Sequence, residues 1–205
     1  METIRQFLGA QSNNTTITMG TKKTITVGRQ FGSGGLAVAK ALGEKLGLPV
    51  YDGELIEEAA RESGIGAGHF SRNDEKRNYW NFGGGISDAQ LFTLQSEAIR
   101  NLAAKGPAIF VGRAADYVLR DMDCVDVFIS APMEKRVAEI AHREGLSEKE
   151  ATRKIEKVDR QRSDFYNFFT FTQWGVASNY DLCIDASILG IEGTADLICR
   201  YLEMV

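Results

Sequence analysis

Between a short β-branched run, Thr24-Ile25-Thr26-Val27, and a helical repeat of Leu36, Ala39, Leu42 and Leu46 stands the segment Gly28-Arg29-Gln30-Phe31-Gly32-Ser33-Gly34-Gly35. Glycines placed between a strand and a helix let backbone N–H groups converge on an oxyanion, and the helix N-terminus adds about half a positive charge. The segment is therefore a candidate cradle for the phosphates of a nucleoside triphosphate, with Gly28, Arg29, Gly32, Ser33, Gly34 and Gly35 as its binding residues. The consensus for such loops sets Lys and then Ser or Thr after the last spaced glycine, whereas Gly35 and Leu36 stand there in this chain. On pattern alone the segment reads either as a phosphate cradle or as a tight strand-to-helix turn.

A second candidate is Arg113, which leaves the apolar run Ala108-Ile109-Phe110-Val111 at its C-terminal end, where parallel sheets gather their ligands. The alternative is a structural ion pair with Asp116 or Asp52. Asp52 itself suits three roles: a base or orienter for a hydroxyl, an acceptor of a substrate hydrogen bond, or the cap of a helix beginning near Gly53. Phosphoryl transfer needs several cations that reach one point. The cationic stretch 132–175 offers Arg136, Arg153, Lys154, Lys157, Arg160 and Arg162, with Arg160 and Arg162 favoured for catalysis. Either this stretch or Arg29 can replace the missing lysine. The competing reading is a solvated surface laced with ion pairs such as Glu150 with Lys154.

The elements that must position these residues alternate. The spacing predicts strands at 24–27, 49–51, 108–111, 125–129 and 182–185 and, interspersed with them, the glycine-loop helix, a helix at 54–62, one capped by Asp88 and running to about 105 ahead of the third strand, two in the cationic stretch, and a closing helix at 192–204. Pro132 suits the first turn of the first cationic helix. Ser147 and Glu150 form a capping box that opens the second, which runs towards Val158. Strands alternating with helices imply an α/β domain whose parallel sheet is covered on both faces. Residues 1–22, polar and without periodicity, read as a flexible extension before a domain at 23–205. Residues 65–87, rich in glycine, read as a loop or insert whose Tyr79, Trp80 and Phe82 suit base stacking or a subunit contact in a homodimer. The aromatic set Tyr166, Phe168, Phe169, Phe171 and Trp174 suits base stacking or packing against the sheet.

Composition bounds the rest. The 205 residues hold 24 Lys plus Arg against 28 Asp plus Glu, a net charge of −4, so no global field favours nucleic acid or an anionic membrane. No apolar run approaches the ~20 residues of a membrane helix. Without a signal peptide the chain is expected in the cytoplasm. Cys124, Cys183 and Cys199 form no metal-ligand pair and are expected as reduced, mostly buried thiols.

Taken in order, ITVGRQFGSGG, LGLPVYDGELIEEAA, LFTLQSEAIRNLAAKG, PAIFVGRAADYVLR, APMEKRV, GLSEKEATRKIEKVDRQR and NYDLCIDASILGIEG resemble the cytidylate kinase-like family of P-loop proteins. The resemblance implies a P-loop NTPase fold: a three-layer α/β/α arrangement with a five-stranded parallel sheet, an acceptor-binding subdomain and a helical lid at about 132–175. It implies ATP and Mg²⁺ as cofactors and phosphoryl transfer to a nucleoside monophosphate, CMP or dCMP above others. By the same resemblance Arg113 binds the acceptor phosphate, Asp52 opens the acceptor motif, and Asp159 and Arg162 grip the monophosphate. The chain departs from the cytidylate kinase pattern at Gly35 for lysine, Gly53 for serine, Glu58 for arginine and Ile155 for arginine. Gly53, Glu58 and Ile155 favour a kinase for another small acceptor, and the missing lysine suggests a nucleotide-binding regulatory module without turnover.

Overall fold

Ile25 and Val27 alternate with Thr24 and Thr26 along β1 (Thr24–Arg29), and all four are buried. A strand with both faces covered belongs at the centre of a parallel sheet. The computed structural model describes residues 23–62 and 87–205. The readings made for 1–22, for 65–86 and for the aromatics Tyr79, Trp80 and Phe82 lie outside them.

From β1 the chain passes through the glycine loop into α1 (Gly35–Leu46), then β2 (Val50–Tyr51), α2 (Gly53–Glu62), α3 (Asp88–Ala103), β3 (Ile109–Val111) and the short α4 (Ala115–Val118). It continues through β4 (Cys124–Ser130), α5 (Met133–Glu144), α6 (Glu148–Thr170), β5 (Leu182–Asp185) and α7 (Ala186–Leu202). The strands lie in the order β2-β3-β1-β4-β5, every neighbouring pair parallel. This is the three-layer sheet the sequence implied.

Each face has its own core. Ile25, Val27, Ile109, Val111, Val127 and Ile129 pack with Val38, Leu42, Ala195 and Ile198 beneath α1 and α7. Phe110, between Ile109 and Val111, points the other way into Ile56, Ile99, Leu102 and Leu119 under α2, α3 and α4. Burying each such aliphatic side chain contributes about 1.5–3 kcal/mol. A third, small core of Ile140, Ala151 and Ile155 closes the α5–α6 hairpin and takes Phe31 from the glycine loop against it.

Several elements differ from the expectation. β1 extends to Arg29 because Gly28 and Arg29 stay in register with Phe128 and Ile129 on β4. Ser87, not Asp88, caps α3, in a reciprocal box with Gln90. α4, four residues long, is too short to leave a helical period in the sequence. α6 runs twelve residues past Val158, since neither Gly nor Pro interrupts it, until Phe171 takes a left-handed conformation. α7 starts at Ala186, six residues early, with a break at Gly190. The Ser147–Glu150 box forms as expected, but Glu150 is spent on it, and Lys154 pairs with Glu144 rather than with Glu150. The three thiols are free but not buried: Cys183 is exposed and the other two are half-buried. Among the described residues no helix is long and apolar enough to cross a membrane.

Candidate active site

A cavity of about 920 Å³ opens at the C-terminal ends of β1 and β3, walled by the starts of α2 and α3 and by the second half of α6. Arg29, Arg113 and Arg162 all line it, as do Gly28 and Asp52.

Arg113 owes its direction to the backbone. Gly112, Arg113 and Ala114 all have positive φ, 76°, 58° and 52°, and two consecutive non-glycine residues in the left-handed region are a strained arrangement that marks functional turns. The guanidinium reaches α2 and pairs with Glu57, and the Asp52 carboxylate adds to the field that it feels. It lies across Gly53, where a Cβ would stand 2.9 Å from its Nε. Gly53 therefore makes room for the arginine where the cytidylate kinase pattern has serine. Glu57 was missed in the sequence, although it sits four residues from Gly53, beside the buried Ile56 and one turn from the buried Ala60. Glu58, where the cytidylate kinase pattern has arginine, is exposed. Burial pushes the Glu57 carboxyl up, against the pull of Arg113.

Asp52 is the N-terminal cap of α2, its Oδ1 accepting the N–H groups of Glu54 and Leu55 at 3.1 Å each. Arg162 donates from Nη1 to the carbonyl of Arg29 at 3.0 Å and stacks its guanidinium 5.6 Å from the Phe31 ring. The three arginines feel one another. Burial, then Arg162 and Arg113, pull Arg29 down to about 9, with Asp52 opposing. Burial lowers Arg162 to about 10, Asp159 opposes and Arg113 adds to the lowering. All three remain charged at neutral pH, and an anion between them would relieve that repulsion.

The glycine loop is held from outside the cavity. Gly32 and Gly34 both take φ of 81°, which only glycine adopts cheaply. No side chain caps α1, so its first-turn N–H groups carry no side-chain acceptor. Gly32, Ser33, Gly34 and Gly35 do not line the cavity wall, although the stem of Arg29, which does, lies against Gly35. The Ser33 hydroxyl turns inward to the carbonyls of Gln30 and Ile129, at 2.9 and 3.1 Å.

Asp159 does not line the cavity to which the resemblance assigned it. Its Oδ1 accepts the Phe31 N–H at 2.7 Å and its Oδ2 meets Arg136 Nη1 at 2.5 Å. Arg136, buried, also donates to the carbonyls of Ala131 and Phe31. Arg160 is exposed and away from the cavity, and Arg153 and Lys157 are exposed too. Ile155, where an arginine was expected, is fully buried in the hairpin core.

The aromatic wall is larger than the sequence indicated. Phe92 of α3 stacks on Phe169 at 4.3 Å and meets Phe165 edge-on, while Trp174 and Tyr180 pack on Phe128. Tyr166 donates to Asp116 Oδ2 at 2.6 Å, and burial pushes the Asp116 carboxyl up to about 6.

Strand order, glycine loop and arginine-lined crevice together define an α/β kinase of the P-loop class. A profile of the cytidylate kinase-like family matches residues 24–188. The cytidylate kinase of Methanopyrus kandleri is 30% identical over 173 residues, covering 80% of this chain and 84% of the relative. A crystal structure of an uncharacterized protein from Eubacterium ventriosum, 29% identical, superposes with a TM-score of 0.71 over 88% of this chain and 98% of that one. The shikimate kinase of Bacteroides thetaiotaomicron shares the fold at 17% identity and a TM-score of 0.54, over 88% of this chain and 98% of its own. The chain belongs to the cytidylate kinase-like family, which puts it among the nucleotide kinases.

Proposed function

We propose that the protein transfers the γ-phosphoryl group of ATP to a nucleoside monophosphate, with CMP or dCMP as the favoured acceptor. The observation that carries this reading is the meeting of Arg29, Arg113 and Arg162 at one cavity beyond the strand ends. Guanidiniums so placed can clamp the acceptor phosphate and neutralise the charge that spreads over the transferring oxygens. In this reading Arg113 holds the acceptor phosphate, Arg162 spans both substrates from α6, and the uncapped start of α1 receives the nucleotide's phosphates. Asp159 acts as a positioning residue that holds the loop in shape.

In this reading magnesium is carried mainly by the substrate, with Asp52 of the cavity lining as the protein's carboxylate. Among the described residues no group of three or more His, Cys, Asp or Glu is arranged to hold a metal, and the Ser33 hydroxyl faces backbone carbonyls. Mg²⁺ in phosphoryl-transfer sites is usually held by the substrate's own phosphates, water and one or two carboxylates. Asp52 is the carboxylate we assign to that shell, where the ion would neutralise phosphate charge.

A small hydroxyl acceptor is the second reading, and one contact favours it: Glu57 already occupies the Arg113 guanidinium, and its charge would repel a phosphate. The test is ADP release with ATP and Mg²⁺, alone and with CMP, dCMP, UMP, AMP or GMP, beside an Arg113→Ala control. Release with CMP or dCMP that the control abolishes supports the first reading. Binding of ATP without release from any monophosphate removes it, and turns the search to hydroxyl acceptors or to a regulatory module.

A further inference from the structure

Resting on that reading of phosphoryl transfer, we propose that Arg29 meets the β- and γ-phosphates of the nucleotide in place of the lysine that such loops carry at the position of Gly35. Three contacts support the exchange. A Cβ at Gly35 would stand 2.5 Å from Arg29 Cβ and 3.0 Å from its Cγ, so a side chain at 35 and the stem of Arg29 exclude one another. At the far end, a Cβ at Gly112 would stand 1.7 Å from Arg29 Nη1 and 2.8 Å from its Cζ. The guanidinium thus rests on the bare backbone of Gly112, beside the end of β3. Finally, Arg162 binds the Arg29 carbonyl, tying α6 to the same residue.

Its charge is also not spent on a carboxylate, which in the cavity holds as well for Arg162 and for Lys40 on the outer face of α1. Arg113 is engaged by Glu57 and Arg136 by Asp159, and Arg160 is exposed away from the cavity. Among the described residues no carboxylate lies within ion-pair distance of Arg29, which lines the cavity together with two other guanidiniums. Gly35 and Gly112 are in this view the two sites that give a longer, forked cation the space a lysine would have taken from the helix itself. In the reaction an anionic oxygen of the acceptor phosphate attacks the γ-phosphorus, and the bond from that phosphorus to the β,γ-bridging oxygen breaks. The electron pair leaves with ADP, and no proton moves. Arg29 neutralises the oxygens on either side of the breaking bond.

Two kinds of variant test this. Arg29→Ala and Arg29→Gln are measured for AMP-PNP and AMP affinity by calorimetry and for kcat with the best acceptor, with circular dichroism and melting as checks of folding. Because the Cβ of residue 29 itself obstructs position 35, the lysine is restored in the double variant Arg29→Gly/Gly35→Lys, compared with Arg29→Gly alone. We expect Ala and Gln to lower kcat about 10²–10³-fold and to weaken AMP-PNP at least tenfold while AMP changes little. The double variant should regain at least tenfold in kcat and AMP-PNP affinity over Arg29→Gly. Single variants within threefold of wild type overturn the proposal, and so does a double variant no better than Arg29→Gly. If no acceptor turns over but AMP-PNP binding still depends on Arg29 and recovers in the double variant, Arg29 stands and the acceptor assignment falls. Wild type that binds no AMP-PNP removes both.

Discussion

The carboxylate of Asp159, midway along α6, accepts the backbone N–H of Phe31 in the glycine loop at 2.7 Å, a contact across 128 positions of chain. Its other oxygen meets the buried Arg136. Loop and α5–α6 hairpin are thereby one mechanical unit, and a change in either is felt by the other.

Removing one partner of a buried pair strands the other charge, at about 3–5 kcal/mol. Arg136→Met should therefore lower unfolding free energy by about 3 kcal/mol in urea, and Asp159→Asn by somewhat less, because the amide oxygen can still accept from Phe31. A loss below about 0.5 kcal/mol in both would mean that the pair does not hold the loop.

Gly53→Ser restores the residue that the cytidylate kinase pattern carries. Its Cβ meets the flexible end of Arg113 rather than backbone, so the fold should tolerate it within about 1 kcal/mol. The guanidinium must move, however, and kcat/KM for the acceptor should fall about 10–100-fold, mostly in KM. Unchanged acceptor kinetics would remove Arg113 from the acceptor site.

Ile155→Arg returns a second departure to that pattern, and here the outcome should be structural. The side chain is fully buried with Ile140 and Ala151, and an unpaired charge there should cost at least about 3 kcal/mol. A variant as stable as wild type, read by thermal melting, would show that the hairpin core can open.

Asp116 predicts a pH dependence. Burial raises its carboxyl from an ordinary value near 3.8 to about 6 in the folded protein, so folding favours the protonated form. The stability it contributes is full below about pH 4 and is lost as pH rises through about 6. Asp116→Asn keeps an acceptor for Tyr166 but cannot ionise. The stability difference between variant and wild type should therefore grow by about 2 kcal/mol from pH 4 to pH 7, measured by denaturation at each pH. A difference that stays constant would show that Asp116 ionises as it would in water.

Much of this protein is written locally in its sequence. The β-branched and apolar runs at Thr24, Ile109, Val125 and Leu182 name four strands without help from elsewhere, and the Ser147–Glu150 box names a helix start, because periodicity and capping act over only a few residues. Glycine between strand and helix announced the loop, and Arg113 at a strand end announced itself by position. What the sequence could not show is which charges meet. Nothing near Asp159 in the chain announces its contacts with Phe31 and Arg136, Glu57 is one of several glutamates on α2, and Gly35 by itself reads as a missing lysine. Those assignments depend on side chains brought together from positions far apart in the chain, whose burial and mutual repulsion exist only once the sheet is formed. The reach of Arg29 across Gly35 to Gly112 was legible only there, since a glycine's meaning is set by what lies where its side chain would be.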